Sequence, residues 1–360
     1  MGTRGNAAGD RGPLLLAGDV GGTKTDLAVV SAAGGPRDIL VERRYPTAAY
    51  SGLAQMAQEF LGEAGLRVQA MCVDVAGPVS DGQARLTNVD WRLDERSLAA
   101  ELGLERAWLI NDLVAIASAI PLLRPEETEQ VKRGERRPTD PIAVLAPGTG
   151  LGEAFLTREA GADAGVPTGY IPHASEGQHA AFAPTSELEV ELLRTLWRRF
   201  DHVSFERVAS GVGIPNVYEF LRDERGMAES SDLARRLAET DDRTYPIVQA
   251  ALGGDPDPLA RATVTLFLRI LGGEAGNLTL KVLATGGVYL AGGIAQALSS
   301  ELASDAFLAA FVNAGRFGAM LERVPVYVVR GEVALLGVAC EGLRLLASTQ
   351  GSGAGVGPLP

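Results

Sequence analysis

Two glycine-rich turns carry the residue types that could hold a chain of phosphate groups. The sequence reads DVGGTK over residues 19–24 and GTGLG over residues 148–152. Glycines at the bend of a hairpin leave backbone N–H groups free to face an anion, and a threonine hydroxyl or a lysine ammonium adds to them. Paired glycines are also common in ordinary hairpin turns, so either turn alone leaves that alternative open. The candidate phosphate-binding residues are Gly21, Gly22, Thr23, Lys24, Gly148, Thr149 and Gly150.

Two aspartates stand where strands are predicted to end. Asp112 follows the apolar residues Leu109 and Ile110, and a carboxylate at a strand end can act as a general base. The same side chain could instead cap the helix predicted from Leu113, and the spacing slightly favours capping, although one residue can do both. Asp19 ends the strand before the first turn and could hold Mg²⁺ through a water molecule.

A third group of residues could bind the hydroxyl groups of a sugar. Glu176 and His179 lie three residues apart in SEGQH (175–179), a spacing that suits adjacent hydroxyl groups of a polyol. Glu206 is a lone acid, which a charge on a solvated helix surface explains more simply. A zinc site built from His173, Glu176 and His179 is a further alternative, although its spacing fits no common helical zinc motif.

A glycine-bounded strand could contact a flat ligand. Residues 286–294 read GGVYLAGGI, an apolar strand between two glycine pairs. The second pair, Gly292 and Gly293, would let the backbone approach a flat group such as adenine. A buried strand with tight turns explains the same pattern equally well.

The elements that must position these groups alternate between strands and helices. Each glycine-rich turn joins two predicted strands, 14–20 with 26–30 and 141–146 with 154–156, which suggests an internal duplication. Periodicity predicts helices at 53–61, 97–102, 186–200 and 258–280, and buried strands at 70–76 and 107–110. Strands that alternate with helices in this way predict an α/β protein.

Local signals add detail to the third predicted helix and to a charged segment. Ser186 and Glu189 form a capping box at the start of the helix over 186–200. The charged, proline-bounded residues 124–141 predict a surface loop or a boundary between lobes.

The fourth predicted helix contains Gly272, Gly273 and Gly276, which are poor helix formers. Small residues at these positions predict the close approach of another helix, as at a hinge crossing.

Composition and charge exclude several classes of partner. The 360 residues are 46% hydrophobic and 22% charged, which suits a globular chain of two domains or one large one. The formal net charge of −12 disfavours nucleic acids and anionic membranes as partners, because both need a basic footprint. The two cysteines form no CxxC pair, which argues against a disulfide framework and a structural zinc site and favours a reducing cytoplasm.

Neither the ends of the chain nor its most apolar stretch indicates export or membrane insertion. Residues 1–13 are polar and glycine-rich and lack the apolar core of a signal peptide. Residues 282–298 are interrupted by glycine pairs and predict a strand, a turn and a strand rather than a membrane span. We expect disordered tails at 1–13 and 348–360.

Taken together and in this order, the motifs resemble the bacterial glucokinase family from about Leu14 to about Leu346. The matching motifs are GDVGGT, LTN (86–88), INDxxA, GTGLG, EGxH followed by FAP (182–184), HVSxERVxSG and GGVYLAGGI. Chance rarely produces several such matches in the correct order, so the set is more specific than any single motif.

The resemblance implies a two-lobed, actin-like (ribonuclease-H-like) α/β fold, with the nucleotide in an inter-lobe cleft that closes around the sugar. It implies a small lobe over 14–122, a large lobe over 123–331 and a C-terminal helix over 332–347 that returns to the small lobe. The implied activity is transfer of the ATP γ-phosphoryl group to the 6-hydroxyl group of glucose, at the start of glycolysis. Mg²⁺, a cytoplasmic location and a homodimer are implied with it.

The resemblance also assigns roles by matching position, with Asp112 as the catalytic base. The implied glucose ligands are Asn88, Asn111, Asp112, Gly150, Glu176, His179 and Glu206. The implied contacts with ATP and Mg²⁺ are Asp19, Gly21, Gly22, Thr23, Lys24, Gly148, Thr149, Gly150, Gly292 and Gly293.

Three residues depart from the family pattern. Lys24 stands where many relatives carry asparagine, and in this it resembles the related repressor–ORF–kinase group instead. The cysteine-rich zinc motif of that group is missing from this sequence. Gln178 replaces a glycine, which would alter the geometry of Glu176 and His179 if that glycine needed a positive φ. Glu153 replaces an apolar residue after the second turn, where a carboxylate would repel phosphate.

Other functions stay open at this point. A kinase for mannose, fructose or an N-acetylhexosamine, or one that uses polyphosphate as the donor, would share these motifs. A non-catalytic sugar sensor is a weaker alternative, because related repressors carry a helix-turn-helix and only about 13 residues precede the first predicted strand.

Overall fold

The computed structural model describes residues 12–86, 89–158 and 169–351, which contacts divide into two units. Unit 1 holds the described residues of 1–123, 158–172 and 332–360, and unit 2 holds those of 124–157 and 173–331. The predicted sugar ligand Asn88 lies outside the described residues, as do most of the two predicted tails. Within the described ranges, no helix combines the length and the apolarity that crossing a membrane requires.

Strands and helices alternate along the described chain, which confirms the predicted α/β class. The strands are β1 (Leu14–Val20), β2 (Lys24–Ser31), β3 (Ile39–Pro46), β4 (Ala70–Val75), β5 (Gln83–Arg85), β6 (Arg92–Asp94), β7 (Arg106–Asn111), β8 (Thr128–Lys132), β9 (Ile142–Pro147), β10 (Leu151–Arg158), β11 (Tyr170–Ser175), β12 (Val288–Leu290) and β13 (Val326–Val329). The helices are α1 (Leu53–Ala64), α2 (Glu95–Leu102), α3 (Asp112–Ala119), α4 (Glu187–Leu196), α5 (Gly213–Asp223), α6 (Ser231–Ala238), α7 (Thr244–Leu252), α8 (Pro258–Val282), α9 (Gly292–Ala297), α10 (Ser299–Leu302), α11 (Asp305–Val312), α12 (Gly318–Leu321) and α13 (Ala334–Gly351).

Unit 1 is built on a five-stranded sheet in the order β3-β2-β1-β4-β7. The first three strands are antiparallel, and β4 and β7 run parallel to β1. Successive residues of β1 point to opposite faces, so Leu14 and Leu16 pack with α1 while Leu15 and Ala17 pack with α13. Both faces of this sheet are therefore buried, as is usual where parallel strands are covered by helices.

Unit 2 repeats this arrangement in a six-stranded sheet in the order β11-β10-β9-β12-β13-β8. Its first hairpin, β9 with β10, is antiparallel, and β12 and β13 follow β9 in parallel. In both sheets a hairpin is followed, on the side of its first strand, by two parallel strands. This shared order confirms the predicted duplication.

The sixth strand of this sheet corrects one prediction. Residues 124–141, expected as a surface loop or a boundary between lobes, begin at the boundary between the two units but contain β8, which pairs antiparallel with β13. Only Val131 of β8 is buried, and the other residues of the strand are polar. The sequence therefore lacks the apolar pattern that would have predicted a strand.

The long helix α8 accepts a neighbouring helix at its glycines, as predicted. A Cβ atom at Gly272 would collide with the carbonyl oxygen of Phe307, and one at Gly276 would lie 2.5 Å from that of Phe311. Both phenylalanines belong to α11, so the two helices touch through their backbones. Gly273 faces open space instead and serves no such contact.

The predicted capping box of α4 is half right. Ser186 caps the helix by accepting a hydrogen bond from the N–H of Glu189, at 3.4 Å. The Glu189 carboxylate, however, accepts from the N–H and hydroxyl of Thr185, at 2.6 and 2.9 Å. The helix also ends at Leu196, four residues before the predicted end.

The C-terminal helix α13 belongs to unit 1, where it packs against α3, β1 and β4. A Cβ atom at Gly337 would collide with the carbonyl oxygen of Ala115 in α3, so glycine allows the two helices to cross at backbone contact. This crossing fixes the position of α3, whose first residue is Asp112.

Candidate active site

The first glycine-rich turn is held from behind by Thr47. The Thr47 hydroxyl donates to the carbonyl of Gly21 at 2.8 Å, and its N–H donates to the carbonyl of Thr23 at 3.0 Å. The N–H of Gly21 is used inside the turn, because it donates to the carbonyl of Lys24 at 3.0 Å. Among the described residues, the N–H groups of Gly22 and Thr23 meet no acceptor. The turn thus offers two amides to an anion, and the N–H of Gly21, a predicted phosphate contact, is already used inside the turn.

Lys24, predicted to face phosphate, is engaged in an ion network at the start of β2. Its ammonium is paired with the carboxylate of Glu332, which also accepts from Arg44 at 2.6 Å. Arg44 in turn binds Asp26 through two hydrogen bonds of 2.7 and 2.9 Å. The Lys24 ammonium and the Arg44 guanidinium hold the pKa of Glu332 below its usual range. Sequence reasoning missed this network because Lys24 and Glu332 are 308 residues apart.

Three acids, two of them buried, lie side by side next to the same turn. Asp19 on β1 is the direct neighbour of Asp74 on β4 and of Asp26 on β2. Asp74 is 1% exposed, and its Oδ1 accepts from the N–H of Val20 at 3.1 Å. Burial and the neighbouring Asp19 raise the pKa of Asp74 well above its usual range, and burial and Asp26 raise the pKa of Asp19. Our sequence reading overlooked Asp74, although an acid inside the apolar strand AMCVDV was a usable signal.

Of these three neighbouring aspartates, Asp19 is the one that could contact a metal ion. The part of the chain that the structure describes contains no cluster of three or more His, Cys, Asp or Glu side chains that could hold one. Magnesium that arrives with a nucleotide needs only one or two protein carboxylates, because phosphates and water supply the other ligands. A single carboxylate at the end of β1, beside the first glycine-rich turn, fits that requirement.

Asn111 and Asp112 divide two roles between them at the start of α3. Asn111 is the capping residue, since its Oδ1 accepts from the N–H of Leu113 at 2.9 Å and its Nδ2 donates to the carbonyl of Gly77 at 3.1 Å. Asp112 is the first helical residue, and its Oδ1 also accepts from the N–H of Leu113, at 2.9 Å. Capping therefore does not depend on Asp112, so its half-buried carboxylate is compatible with a chemical role.

The second glycine-rich turn is fixed by residues 206–212. The N–H groups of Gly211 and Val212 donate to the carbonyls of Gly148 and Thr149, at 2.8 and 3.0 Å. The Oε2 atom of Glu206 accepts from the N–H of Leu151 at 3.2 Å. 

Glycine at position 150 is what admits the Glu206 carboxylate. A Cβ atom at Gly150 would lie only 2.5 Å from Oε2 of Glu206, closer than real contacts allow. The structure thus joins the predicted phosphate turn to the predicted sugar ligand Glu206.

A cavity of about 970 Å³ opens beside this turn within unit 2. Gly148, Thr149 and Gly293 line it, which brings together three residues predicted to bind a nucleotide. A Cβ atom at Gly293 would meet nothing within 4 Å, so a flat ligand could approach the backbone there. Gly292 begins α9 with φ +86°, and a side chain there would also crowd the carbonyl of Pro147, at 3.0 Å.

Charged residues on the cavity wall were not found from the sequence. Glu219 on α5 joins Arg199 and Arg243 in one ion-paired group, and Tyr245 is 62% exposed beside it. All four line the cavity, although they come from three different segments, since Arg243 and Tyr245 both lie at the start of α7.

Residues 175–179 present Glu176 and His179 on one short turn. Oε2 of Glu176 lies 3.8 Å from Nε2 of His179, and both side chains are more than half exposed. Gln178 points inward and donates from Nε2 to Oε2 of Glu176 at 2.6 Å. His202, which sequence reasoning did not single out, bonds through Nε2 to the carbonyl of His179 at 2.8 Å.

The structure supports neither of two alternatives that the sequence left open for this segment. His173 contributes to no zinc site, because its ring stacks on Phe155 and its Nε2 is hydrogen-bonded to Thr157 at 2.7 Å. Gln178 is not strained, because it does not have a positive φ. Its side chain supports Glu176 instead of disturbing it.

The expectation for Glu153 is also corrected. The side chain does not face the glycine-rich turn, where it would repel phosphate. It is 1% exposed, and its Oε2 lies against the Cα atom of Gly177 beneath the 175–179 segment.

Comparison with known proteins gives consistent matches over nearly the whole chain. A family model described as glucokinase matches residues 16–344. A glucokinase from Nostoc punctiforme is 38% identical over 347 residues, which cover 92% of this chain and 99% of that protein.

Solved structures agree with this match. The crystal structure of a glucokinase from an Antarctic psychrotroph has a TM-score of 0.76 at 29% identity, covering 91% of this chain and 98% of the other. A ROK family glucokinase from Streptomyces griseus, in complex with glucose and AMPPNP, has a TM-score of 0.55 at 19% identity, covering 91% and 99%. The second match is evidence for the fold alone, and together the two confirm the predicted actin-like sugar kinase fold.

The division of roles at α3 can be tested by stability. We expect Asn111→Ala to lower the free energy of unfolding by about 1–2 kcal/mol, because the helix loses its cap and Gly77 loses its donor. Asp112→Ala should cost less than half as much, since Asn111 still accepts from Leu113. Urea denaturation of the two variants measures both values, and an equal or larger loss for Asp112→Ala would make Asp112 the structural cap.

Proposed function

The chain belongs to the glucokinase family, and from this premise we propose that it transfers the γ-phosphoryl group of ATP to the 6-hydroxyl group of glucose. The observation that carries the proposal is the second glycine-rich turn. Its residues Gly148 and Thr149 line a cavity large enough for a nucleotide, while Gly150 contacts the predicted sugar ligand Glu206. One turn therefore links a candidate nucleotide site to a candidate sugar site.

Asp112 is the proposed general base. Its carboxylate is held by the Leu113 N–H at the start of a helix that is itself fixed by α13. Phosphoryl transfer passes through a loose transition state, so positioning the acceptor hydroxyl contributes more than strong proton abstraction. A carboxylate on a rigid element suits that task, because it can accept the 6-hydroxyl proton and orient its oxygen.

The remaining proposed sugar ligands offer several hydrogen-bonding groups to the hydroxyls of glucose. Glu176 and Glu206 supply carboxylate oxygens that accept from Gln178 and from the N–H of Leu151. His179 supplies an imidazole, and its backbone carbonyl is bonded to His202. Asn111 and the backbone of Gly150 complete the proposed set among the described residues. Such groups reject analogues that lack a hydroxyl, because a polar group that the bound sugar buries would then lose its partner.

The phosphates of ATP are proposed to bind the two glycine-rich turns. Backbone amides of Gly22, Thr23, Thr149 and Gly150 donate to no described acceptor and are available to an anion. Adenine would enter the cavity along the open backbone at Gly293. Magnesium bound with the nucleotide would be held by Asp19, and it would offset phosphate charge.

Compartment and assembly follow from the family resemblance. We expect a cytoplasmic homodimer that feeds glycolysis with glucose 6-phosphate. The free, buried thiols of Cys72 and Cys340 suit a reducing compartment.

A coupled assay with the purified chain tests the proposed reaction. We expect Mg²⁺-dependent release of ADP with ATP and glucose, and much lower kcat/KM with mannose, fructose or N-acetylglucosamine. Inorganic polyphosphate should not replace ATP, because it has no adenosine to bind in the cavity beside the second turn. A higher kcat/KM for another hexose, or for polyphosphate, would reassign the substrate.

The base assignment predicts the kinetics of Asp112→Asn. This variant keeps an oxygen for the Leu113 N–H but loses the basic carboxylate, so kcat should fall by about 10²–10⁴-fold. The KM for ATP should stay within about threefold. Asp232→Asn, on the exposed surface of α6, serves as the matched control, and a kcat for Asp112→Asn within tenfold of wild type would remove the assignment.

The Lys24–Glu332 ion pair predicts opposite effects on ATP affinity. Lys24→Ala should raise the KM for ATP roughly two- to fivefold, the range of an exposed charge pair worth about 0.4–1 kcal/mol. Glu332→Gln should lower it, because the ammonium is released toward the phosphates. Shifts in the same direction, or none, would mean that the Lys24 side chain does not face the nucleotide. Steady-state kinetics at low ionic strength is the measurement, since salt screens exposed charges.

A further inference from the structure

Glu153 is a buried acid in a strand that would otherwise be apolar. It lies in β10 opposite Leu145 of β9 and is 1% exposed. Its side chain faces Glu274 of α8, which is fully buried at 0% exposure. Two acids that meet in a protein interior cannot both be charged without a large cost, so one of them must hold a proton.

The surrounding donors decide which acid is neutral. Glu274 accepts from Nδ2 of Asn277 at 2.9 Å and from Nζ of Lys281 at 3.1 Å. Burial raises the pKa of Glu274 and these donors lower it, so of the two acids Glu274 is the better supported in the charged form. Neither oxygen of Glu153 meets a donor among the described residues. The arrangement is satisfied when Glu153 carries the proton and donates it to Glu274. In agreement, burial and then Glu274 raise the pKa of Glu153 to about 8.

Glu153 also touches the segment that holds the proposed sugar ligands. A Cβ atom at Gly177 would collide with Oε2 of Glu153 and would lie 3.0 Å from the hydroxyl of Ser175. Gly177 follows Glu176 directly in the chain. The N–H of His179 donates to the carbonyl of Glu176 at 3.0 Å, so residues 176–179 form one hydrogen-bonded turn around Gly177. A displacement of Gly177 would therefore move both Glu176 and His179.

We propose that Glu153 is a positioning residue whose proton keeps the segment 175–179 in its sugar-binding form, so that loss of this proton weakens hexose binding. The inference rests on the proposed function, and it adds a pH-sensitive element to the sugar site. Glu153 itself would not touch the sugar.

Ionisation of Glu153 would disturb the segment because Lys281, which favours the charged form, offsets burial and the charge of Glu274 only in part. On α8 it faces the carboxylate of Glu274, and Lys281 is already paired with that group and half exposed. On the 175–179 segment, Glu176 and His179 are 64% and 57% exposed and stand outside. The strand β9 offers only Leu145 opposite Glu153. Relief of the repulsion requires movement, and Gly177 is the backbone that Oε2 of Glu153 contacts.

Calorimetric titration of the full chain with glucose between pH 6.5 and 9.5 tests this proposal. For the wild type, the Kd should be constant near pH 7 and rise toward tenfold per pH unit above about pH 8, as expected when one proton is required for binding. Glu153→Gln, a neutral isostere, should bind within about threefold of wild type at pH 7 and show no alkaline rise. The KM for ATP should be the same for both proteins at each pH.

Two further variants separate the possible outcomes. Glu239→Gln, an exposed site on unit 2, should keep the wild-type profile, and Glu153→Met should lose the alkaline rise as Glu153→Gln does. An alkaline rise that persists in both Glu153 variants, or is missing from the wild type, would overturn the inference while phosphorylation of glucose at pH 7 leaves the proposed function standing. No phosphorylation at pH 7 would overturn the proposed function and this inference with it.

The pH dependence of the unfolding free energy detects the proton on Glu153 without any ligand. An unfolded glutamate ionises near pH 4.5, so between pH 4.5 and about 8 the folded chain holds one proton more than the unfolded chain. The stabilisation from Glu153 is complete below pH 4.5 and is lost as the pH rises to about 8. The unfolding free energy of the wild type should therefore fall relative to Glu153→Gln across this window, and parallel curves would contradict the protonated state.

Discussion

The candidate sites depend on close contact between carboxylates and glycine backbone. Oε2 of Glu206 occupies the space that a side chain at Gly150 would fill, and Oε2 of Glu153 does the same at Gly177. Any other residue at these two positions would push the acid away from the segment that it supports. The glycines in these motifs thus serve two purposes, since they also leave amides such as those of Thr149 and Gly150 open to a ligand.

Repetition of one strand order places similar groups at similar points of both units. Each sheet begins with a hairpin whose turn is rich in glycine, and two parallel strands follow the first strand. In unit 1 the parallel strands end near Val75 and Asn111, where Asp112 follows. In unit 2 the strand β12 ends before Gly292 and Gly293. The ends of parallel strands are where α/β proteins commonly bind ligands, so a duplicated sheet yields two related binding edges.

Local sequence signals predicted what is local in the structure. Both hairpins, α8 with its close helix contact and the 148–150 turn were predictable, because periodicity and glycine spacing determine them. The pairing of Lys24 with Glu332, the burial of Asp74 and the placement of Glu153 under Gly177 were not, since each depends on segments that are far apart in sequence. The strand β8 was missed for a different reason, because an edge strand with one buried residue lacks a clear alternating pattern.

The position of the Asp112 carboxylate relative to the acceptor hydroxyl tests the account most directly. A crystal of the chain with glucose and a non-hydrolysable ATP analogue would give the distance between that carboxylate and the 6-hydroxyl oxygen. We predict a hydrogen bond of about 2.6–3.2 Å, with Glu176 and Glu206 bonded to other hydroxyls of the same sugar. A carboxylate that contacts neither glucose nor the nucleotide would contradict the account.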